Sequence, residues 1–534
     1  MSWWPISGRW RVPSMLTAAL LVLLAMALGA LAAYTAYSAT ATTVPGGVTH
    51  GHDRTSGTSG VRGSGVRGSG GGSAAGTPST SSTPGTTGSA TTTASWTVYG
   101  GAPDGRGVSG ASVRLSSPRR AWRSPALDGQ IFGQPLVVGS RVVVATENDT
   151  VYAMAAHDGS VLWSRHVGSP VAAGTLPCGD ISPTVGITGT PVVDASRGEV
   201  FVVADERSGR GSAHHLVGLD LASGAVRLDQ PVDPPGASPA DLLQRTGLAL
   251  DRGNVVFGYG GNYGDCGTYH GWVVAVPEGG GTPARFEVDA RAGDHQGAIW
   301  MGGAAPEIDP AGNVWVAAGN GSVTSASGRY GGGDSVDELS PGLRLEHFFA
   351  PSNWRTDNAD DHDLGSTAPA LLADGDVFQV GKAQTGYLLR ASHLGGIGGQ
   401  RASAHVCTAD ADGGDAVRGK TVYVGCRSGV EAVHTGARTL SVRWTATSAA
   451  TGPPIVAGGL IWSIGGGSLY GLSPRTGAAQ VRLSVGSEAD HFAVPSVGGG
   501  LLLAPGAGGD RVLAYAGSDG VPAAQGGRSS TTSS

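Results

Sequence analysis

Between Gly133 and the C-terminus the chain repeats one pattern eight times: a short hydrophobic strand, a Gly or Asp turn, a β-branched strand, a polar turn and a third strand. QPLVVGSRVVVATENDTVYAM, AAPEIDPAGNVWVAAGN and VPSVGGGLLLAPGAGGDRVLAY are three of the copies. A strand-rich unit recurring every ~40 to 60 residues cannot bury its faces alone and does so by stacking on its neighbours, which predicts a β-propeller rather than a helical solenoid. The 92 glycines among 534 residues fall between the hydrophobic runs and serve as turns. The expected fold class is all-β, an eight-bladed propeller over 96–517.

Outer strands carry a recurring tryptophan: HDGSVLW ends on Trp163 and GARTLSVRW on Trp444. The last copy stops one strand short at Gly517, and RRAWRSPALDG, far upstream, places Trp122 as SVLWSRHVG places Trp163. Residues near Val113 to Leu127 are therefore expected to supply the missing strand and close the ring from the N-terminal side. Runs such as Arg141 to Ala145 and Val200 to Val203 are almost wholly apolar, as strands covered on both faces require.

Met15 to Tyr34 contains no charged residue and is about one bilayer core in length as a helix. Arg9 and Arg11 precede it and the next basic residue is Arg54, so positive charge favours a cytoplasmic N-terminus. The expected organisation is a cytoplasmic segment 1–13, a transmembrane helix or signal anchor 14–37 and a disordered Ser/Thr/Gly-rich linker 38–95. The propeller then lies on the extracytoplasmic side of the cell membrane, followed by a disordered tail 518–534. A signal peptide cleaved near Ala30-Leu31-Ala32 is the alternative. Net charge is only −6 and the basic residues are scattered, which argues against nucleic acid as a partner. The four cysteines, Cys178, Cys266, Cys407 and Cys426, form no CxxC; outside the cytoplasm they imply two disulfides, with free buried thiols as the alternative. Three pairings are possible, and the order of the blades favours Cys178 with Cys266 and Cys407 with Cys426.

Loops entering a blade and loops between its second and third strands emerge on one face of a propeller. That mapping collects Glu147, Asp180, Asp205, Glu206, Asp265 to His270, Asp294, Asn320, Asp334, Asp357 to Asp363, Lys382, Arg427 and Glu488 to His491 on a polar rim. Within it, TDNADDHDLGS has the oxygen density that suits calcium, although a solvated acidic loop is the plainer reading. GNYGDCGTYHGW reads as structural packing, and His214-His215 as a surface pair without a third metal ligand. Nucleophile motifs, phosphate loops and HExxH are absent from the sequence.

The opening WTVYGGAPDGRG, the blade phrases YAMAAHDGSVLW and LVGLDLASGAVRL, the run CGDISPTVGITGTPVVD, and HDLGSTAPALL with GKAQTGYLLRASHLGG resemble the pyrroloquinoline quinone (PQQ) repeat propellers. That superfamily holds quinoprotein alcohol dehydrogenases and also cofactor-free members such as the barrel-assembly lipoprotein propeller. The resemblance implies Asn320, in VWVAAGNGS, as a calcium ligand and Asp334, in YGGGDSV, as the catalytic base. It implies Lys382, in GKAQTGYLL, as the cofactor contact. The family's calcium-binding Glu has no match in spacing, Glu206 and Asp265 being on plausible loops. The vicinal cysteine pair and haem-attaching motif of many quinoprotein dehydrogenases are missing.

Two functions follow. The preferred one is a membrane-anchored, extracytoplasmic platform that binds a small-molecule ligand or a protein at its loop face, without a cofactor. The alternative is a PQQ- and calcium-dependent dehydrogenase oxidising an alcohol or polyol.

Overall fold

The β-branched runs form the strands that their periodicity predicts. In Arg141–Thr146 every residue after the first is buried, whereas the strand Val161–His166 of the same sheet is largely exposed, so burial falls from the axis of the ring outward. The computed structural model describes residues 95–517 apart from 111–114, 116, 210, 291–292, 488–490 and 507. The expected segments 1–13, 14–37 and 518–534, and all but the last residue of 38–95, lie outside the described residues. No helix among the described residues is long and apolar enough to cross a membrane.

Among the described residues eight sheets of four or five strands, antiparallel except where Gly396–Ile397 joins, follow one another along the chain and are numbered blades 1 to 8; a two-stranded sheet of Val171–Ala172 and Thr184–Val185 lies between the first two. Blade 1 spans 136–166, blade 2 192–231, blade 3 249–287 and blade 4 307–350. Blade 5 spans 370–405, blade 6 416–445, blade 7 455–484 and blade 8 496–516. Each has a core of four strands, with Leu242–Leu243 added to blade 3 and Gly396–Ile397 to blade 4. Blade 8 takes its fourth strand from upstream: Arg119–Arg123 runs antiparallel to Arg511–Ala516, with Trp122 opposite Ala514. This strand lies inside the expected 113–127 window, of which residues 113, 114 and 116 are outside the described set.

The outer-strand tryptophans join neighbouring blades. Trp122 Nε1 donates to the Ala156 carbonyl of blade 1 (2.8 Å), Trp163 Nε1 to Leu221 of blade 2 (3.1 Å) and Trp444 Nε1 to Pro474 of blade 7 (3.0 Å). Each ring lies over a turn glycine of the blade that receives it. A Cβ built on Gly159, Gly224 or Gly477 would stand 2.4 to 2.6 Å from the indole, and all three glycines have positive φ. The glycine therefore supplies both the turn and the seat for the ring.

The segment 96–109 runs along the inner edges of the blades. The N–H groups of Val137, Val193, Ile308, Val417 and Val456 donate to the carbonyls of Trp96, Thr97, Pro103, Arg106 and Gly107, at 2.7 to 2.9 Å. Each of those donors belongs to the first strand of a different blade, whose inner edge has no other strand to pair with, so the segment supplies acceptors to edge groups that need them. Cys178 is bonded to Cys266 and Cys407 to Cys426, the pairing that the blade order favours.

Candidate functional site

Loops entering blades 1 to 6 and 8 meet the loops after the second strands of blades 3 and 5 around a cavity of about 430 Å³, a size typical of small-ligand sites. Asp265 and Asp361 sit at loop tips with φ of 51° and 57°, a left-handed conformation that Asp tolerates better than most residues. Their carboxylates thereby turn toward the cavity they help to line.

Lys382, the first residue of its loop to face the cavity, is gripped by two carboxylates: its Nζ lies 2.5 Å from Asp363 Oδ2 and 3.2 Å from both oxygens of Asp361. Burial alone would lower the ammonium pKa, but Asp363 and Asp361 outweigh it and hold the group charged. Asp363 is itself only 2% exposed, and burial lifts its carboxyl to about 6 against the pull of Lys382. Its Oδ1 has no hydrogen-bond partner. Asp265 Oδ1 accepts from the Tyr269 hydroxyl at 2.6 Å, and burial raises its carboxyl too.

On the opposite wall Asp412 accepts from Arg427 Nε at 3.0 Å, and Arg427 in turn reaches His491 at 2.8 Å. Burial pushes the Asp412 carboxyl up, yet His491 and Arg427 more than offset it and leave the group lowered. The Arg245 guanidinium, 4.9 Å from the Phe492 ring and 5.9 Å from that of Phe132, makes a cation–π wall. Trp300 is fixed by a hydrogen bond from Nε1 to the Gly261 carbonyl (2.8 Å), and its indole lies so close to Gly260 that a Cβ there would sit 2.3 Å away.

Of the sequence-expected residues, Lys382, Asp180, Asp265, Asp361, Asp363 and His491 come together here. Asp334 and Asn320 do not reach the cavity wall. Asp334 is fully buried behind it, with Oδ1 accepting from Leu364 N–H at 2.8 Å, Oδ2 unpartnered and its pKa driven far up by burial and by Asp363. Asn320 is 8% exposed and its Oδ1 caps the Gly321 N–H. Glu147 and Asp205 are buried between blades 1 and 2 instead of standing on the rim.

The expectation that His214-His215 is a surface pair fails for His214, which is completely buried and bonded through Nδ1 to Asp233 at 2.8 Å. Strand alternation explains it, since neighbours in a strand face opposite sides. The acidic stretch 357–363 is not a solvated loop throughout: it is split between the end of the helix Trp354–Asp360 and the clamp on Lys382, and Asp357 and Asp363 are buried. Sequence reasoning missed Arg245, Trp300, Asp412 and Phe492. The one signal was a large aromatic in the Gly-rich connection GAIWMGG, where little else could pack.

These features define an eight-bladed β-propeller with a cavity on its loop face. Residues 91–281 match the family model described as outer membrane protein assembly factor BamB, one of the PQQ repeat families. No curated protein matches the sequence. Among solved structures the chain is similar to a quinohemoprotein alcohol dehydrogenase from Pseudomonas putida, with 15% identity, a TM-score of 0.62 and coverage of 80% of this chain and 81% of that one. The corresponding enzyme from Comamonas testosteroni has 15% identity, a TM-score of 0.58 and coverage of 80% and 82%. BamB from Moraxella catarrhalis has 14% identity, a TM-score of 0.50 and coverage of 76% and 99%. At such identities the likeness establishes the fold.

PQQ carries three carboxylates, so a site for it must offer cations. Here the carboxylates of Asp180, Asp265, Asp361, Asp363 and Asp412 line the cavity with Arg245, Lys382 and His491; Lys382 is already paired with two of them, and Asp412 with Arg427 and His491. This donor set fits a cation and does not fit a tricarboxylate.

Proposed function

We propose that this chain is a ligand-binding propeller, held outside the cytoplasmic membrane by its N-terminal segment, that captures a small organic cation in the loop-face cavity. The observation that carries the reading is the excess of carboxylates in a partly apolar cavity beside Trp300. Ammonium and guanidinium groups gain from both features, a carboxylate partner and an aromatic face. Weighing against the dehydrogenase alternative is Asp334, whose carboxyl has no face on the cavity where a substrate hydroxyl would meet a base.

The test is calorimetric titration of the purified protein with spermidine, a lysine-rich peptide and, separately, PQQ with calcium. We expect saturable binding of an amine probe, weakened about tenfold or more by Asp361→Asn, which removes one charge-assisted partner. Because the Asp363 carboxyl titrates near 6, amine affinity falls as pH drops through that value. Binding of PQQ with calcium in preference to both amines would overturn the proposal.

A further inference from the structure

The alternation that hides His214 has a second consequence in blade 3. Trp272 pairs with Glu287, and Val288 N–H donates to the Gly271 carbonyl at 3.0 Å, so the ladder continues past the strand ends and brings His270 opposite Asp289. Glu287 and Asp289 are two residues apart and face the same side. One imidazole and two carboxylates thus converge, with a ligand atom of each within 4.8 Å of the others.

The distances are those of a coordination sphere as much as of a hydrogen bond. His270 Nδ1 lies 2.8 Å from Asp289 Oδ1 and 3.4 Å from Glu287 Oε1. Ligands about 2.0 to 2.1 Å from a tetrahedral ion stand roughly 3.3 Å from one another. A ring nitrogen carries at most one hydrogen and cannot serve two carboxylates well, whereas a cation would satisfy all three groups together. Asp289 is fully buried and its second oxygen is fixed by the Gly297 N–H at 2.8 Å, the kind of outer support that orients a ligand. The side chains of His270 and Glu287 are 34% and 31% exposed, which leaves a path for an ion and a water to enter.

We propose that His270, Glu287 and Asp289 form a mononuclear site for a divalent transition ion of the zinc class, with solvent as the fourth ligand. Mixed imidazole and carboxylate donors suit such ions better than calcium. The site is separate from the cavity residues, but His270 follows Tyr269, whose hydroxyl holds Asp265 on the cavity wall. An ion here would stiffen that loop.

The experiment uses the full chain, stripped with a chelator and titrated with Co²⁺ and Zn²⁺, following the visible Co²⁺ bands and heat of binding. We expect one ion per chain, with Zn²⁺ displacing Co²⁺. His270→Gln and Glu287→Gln change half-exposed groups and are expected to melt like the parent in chelator. Each should weaken binding by on the order of 100-fold, since outer-shell changes alone cost tenfold or more. Absence of saturable binding in the parent, or an affinity equal to the parent's in either variant, would overturn the assignment.

Discussion

Asp149 shows at one residue how burial writes a pH dependence into the fold. Both of its carboxylate oxygens are buried without a partner, and desolvation, followed by Glu206, Asp205 and Glu147, lifts its pKa to about 9. In the unfolded chain the same group titrates near about 3.9. The folded state binds the proton more tightly, so this group's contribution is complete below pH ~4 and is lost as pH rises toward 9. Asn tolerates the left-handed backbone found here, φ 53°. The melting temperature of Asp149→Asn relative to the parent should therefore climb between about pH 5 and pH 9. A constant difference across that range would mean that Asp149 ionises as freely as in the unfolded chain. The hidden acids were legible in the sequence only as loop polarity. Glu147 stands beside a turn and Asp205 lies within the strand Glu199–Ser208, and nothing local tells that a neighbouring blade covers them.

At the scale of elements, the tryptophan on a turn glycine is the joint between blades. Gly224, at φ 70°, would place a Cβ 2.6 Å from the Trp163 ring, and no flexible group lies between them to yield. Gly224→Ala combines left-handed strain of about 1 to 2 kcal/mol with displacement of a packed indole. It should destabilise by about 2 kcal/mol or more, read from denaturant midpoints. Gly198→Ala is the control for turn strain alone, since its φ is 63° and its Cβ would meet nothing. An equal loss in both would dismiss the joint.

The joint was half legible. Trp122, Trp163 and Trp444 share one place in the repeat, so their equivalence could be read directly, while their partners could not, because each lies in the next copy. Lys382 and Asp363 were legible as unusual residues on correctly mapped loops. Trp300 was not, because its seat on Gly260 and Gly261 depends on the return of a chain 39 residues away. The central run 96–109 gave no periodic signal at all. Its hydrogen bonds serve five first strands, and its own residues need no alternation to provide carbonyls.

For the whole molecule the question is what keeps a ring of eight similar sheets from opening between the last and the first. Gln134 Nε2 donates to the Pro495 carbonyl and Ile131 N–H to that of Gly509, both at 2.7 Å, and two further connections come from one strand. Arg119–Arg123 completes blade 8, and Trp122 from that strand reaches across to Ala156 in blade 1. Removing the strand would expose the edge of Arg511–Ala516 and unseat the ring over Gly159 in one step. We predict that a chain beginning at Gly129 loses cooperative unfolding and is cut by protease first in blade 8. Trp122→Ala, which keeps the strand pairing but removes the inter-blade contact, should lower stability by about 3 kcal/mol while preserving one transition. That truncation also removes residues 96–109, so a third chain lacking only 119–123, rejoined through a short glycine linker, separates the strand from the central segment. Protease resistance equal to the parent in this third chain would show that blade 8 stands without its borrowed strand. Rapid cleavage confined at first to 496–516 would place the closing energy of the ring in Arg119–Arg123, and comparison with Trp122→Ala divides it between the strand pairing and the indole contact.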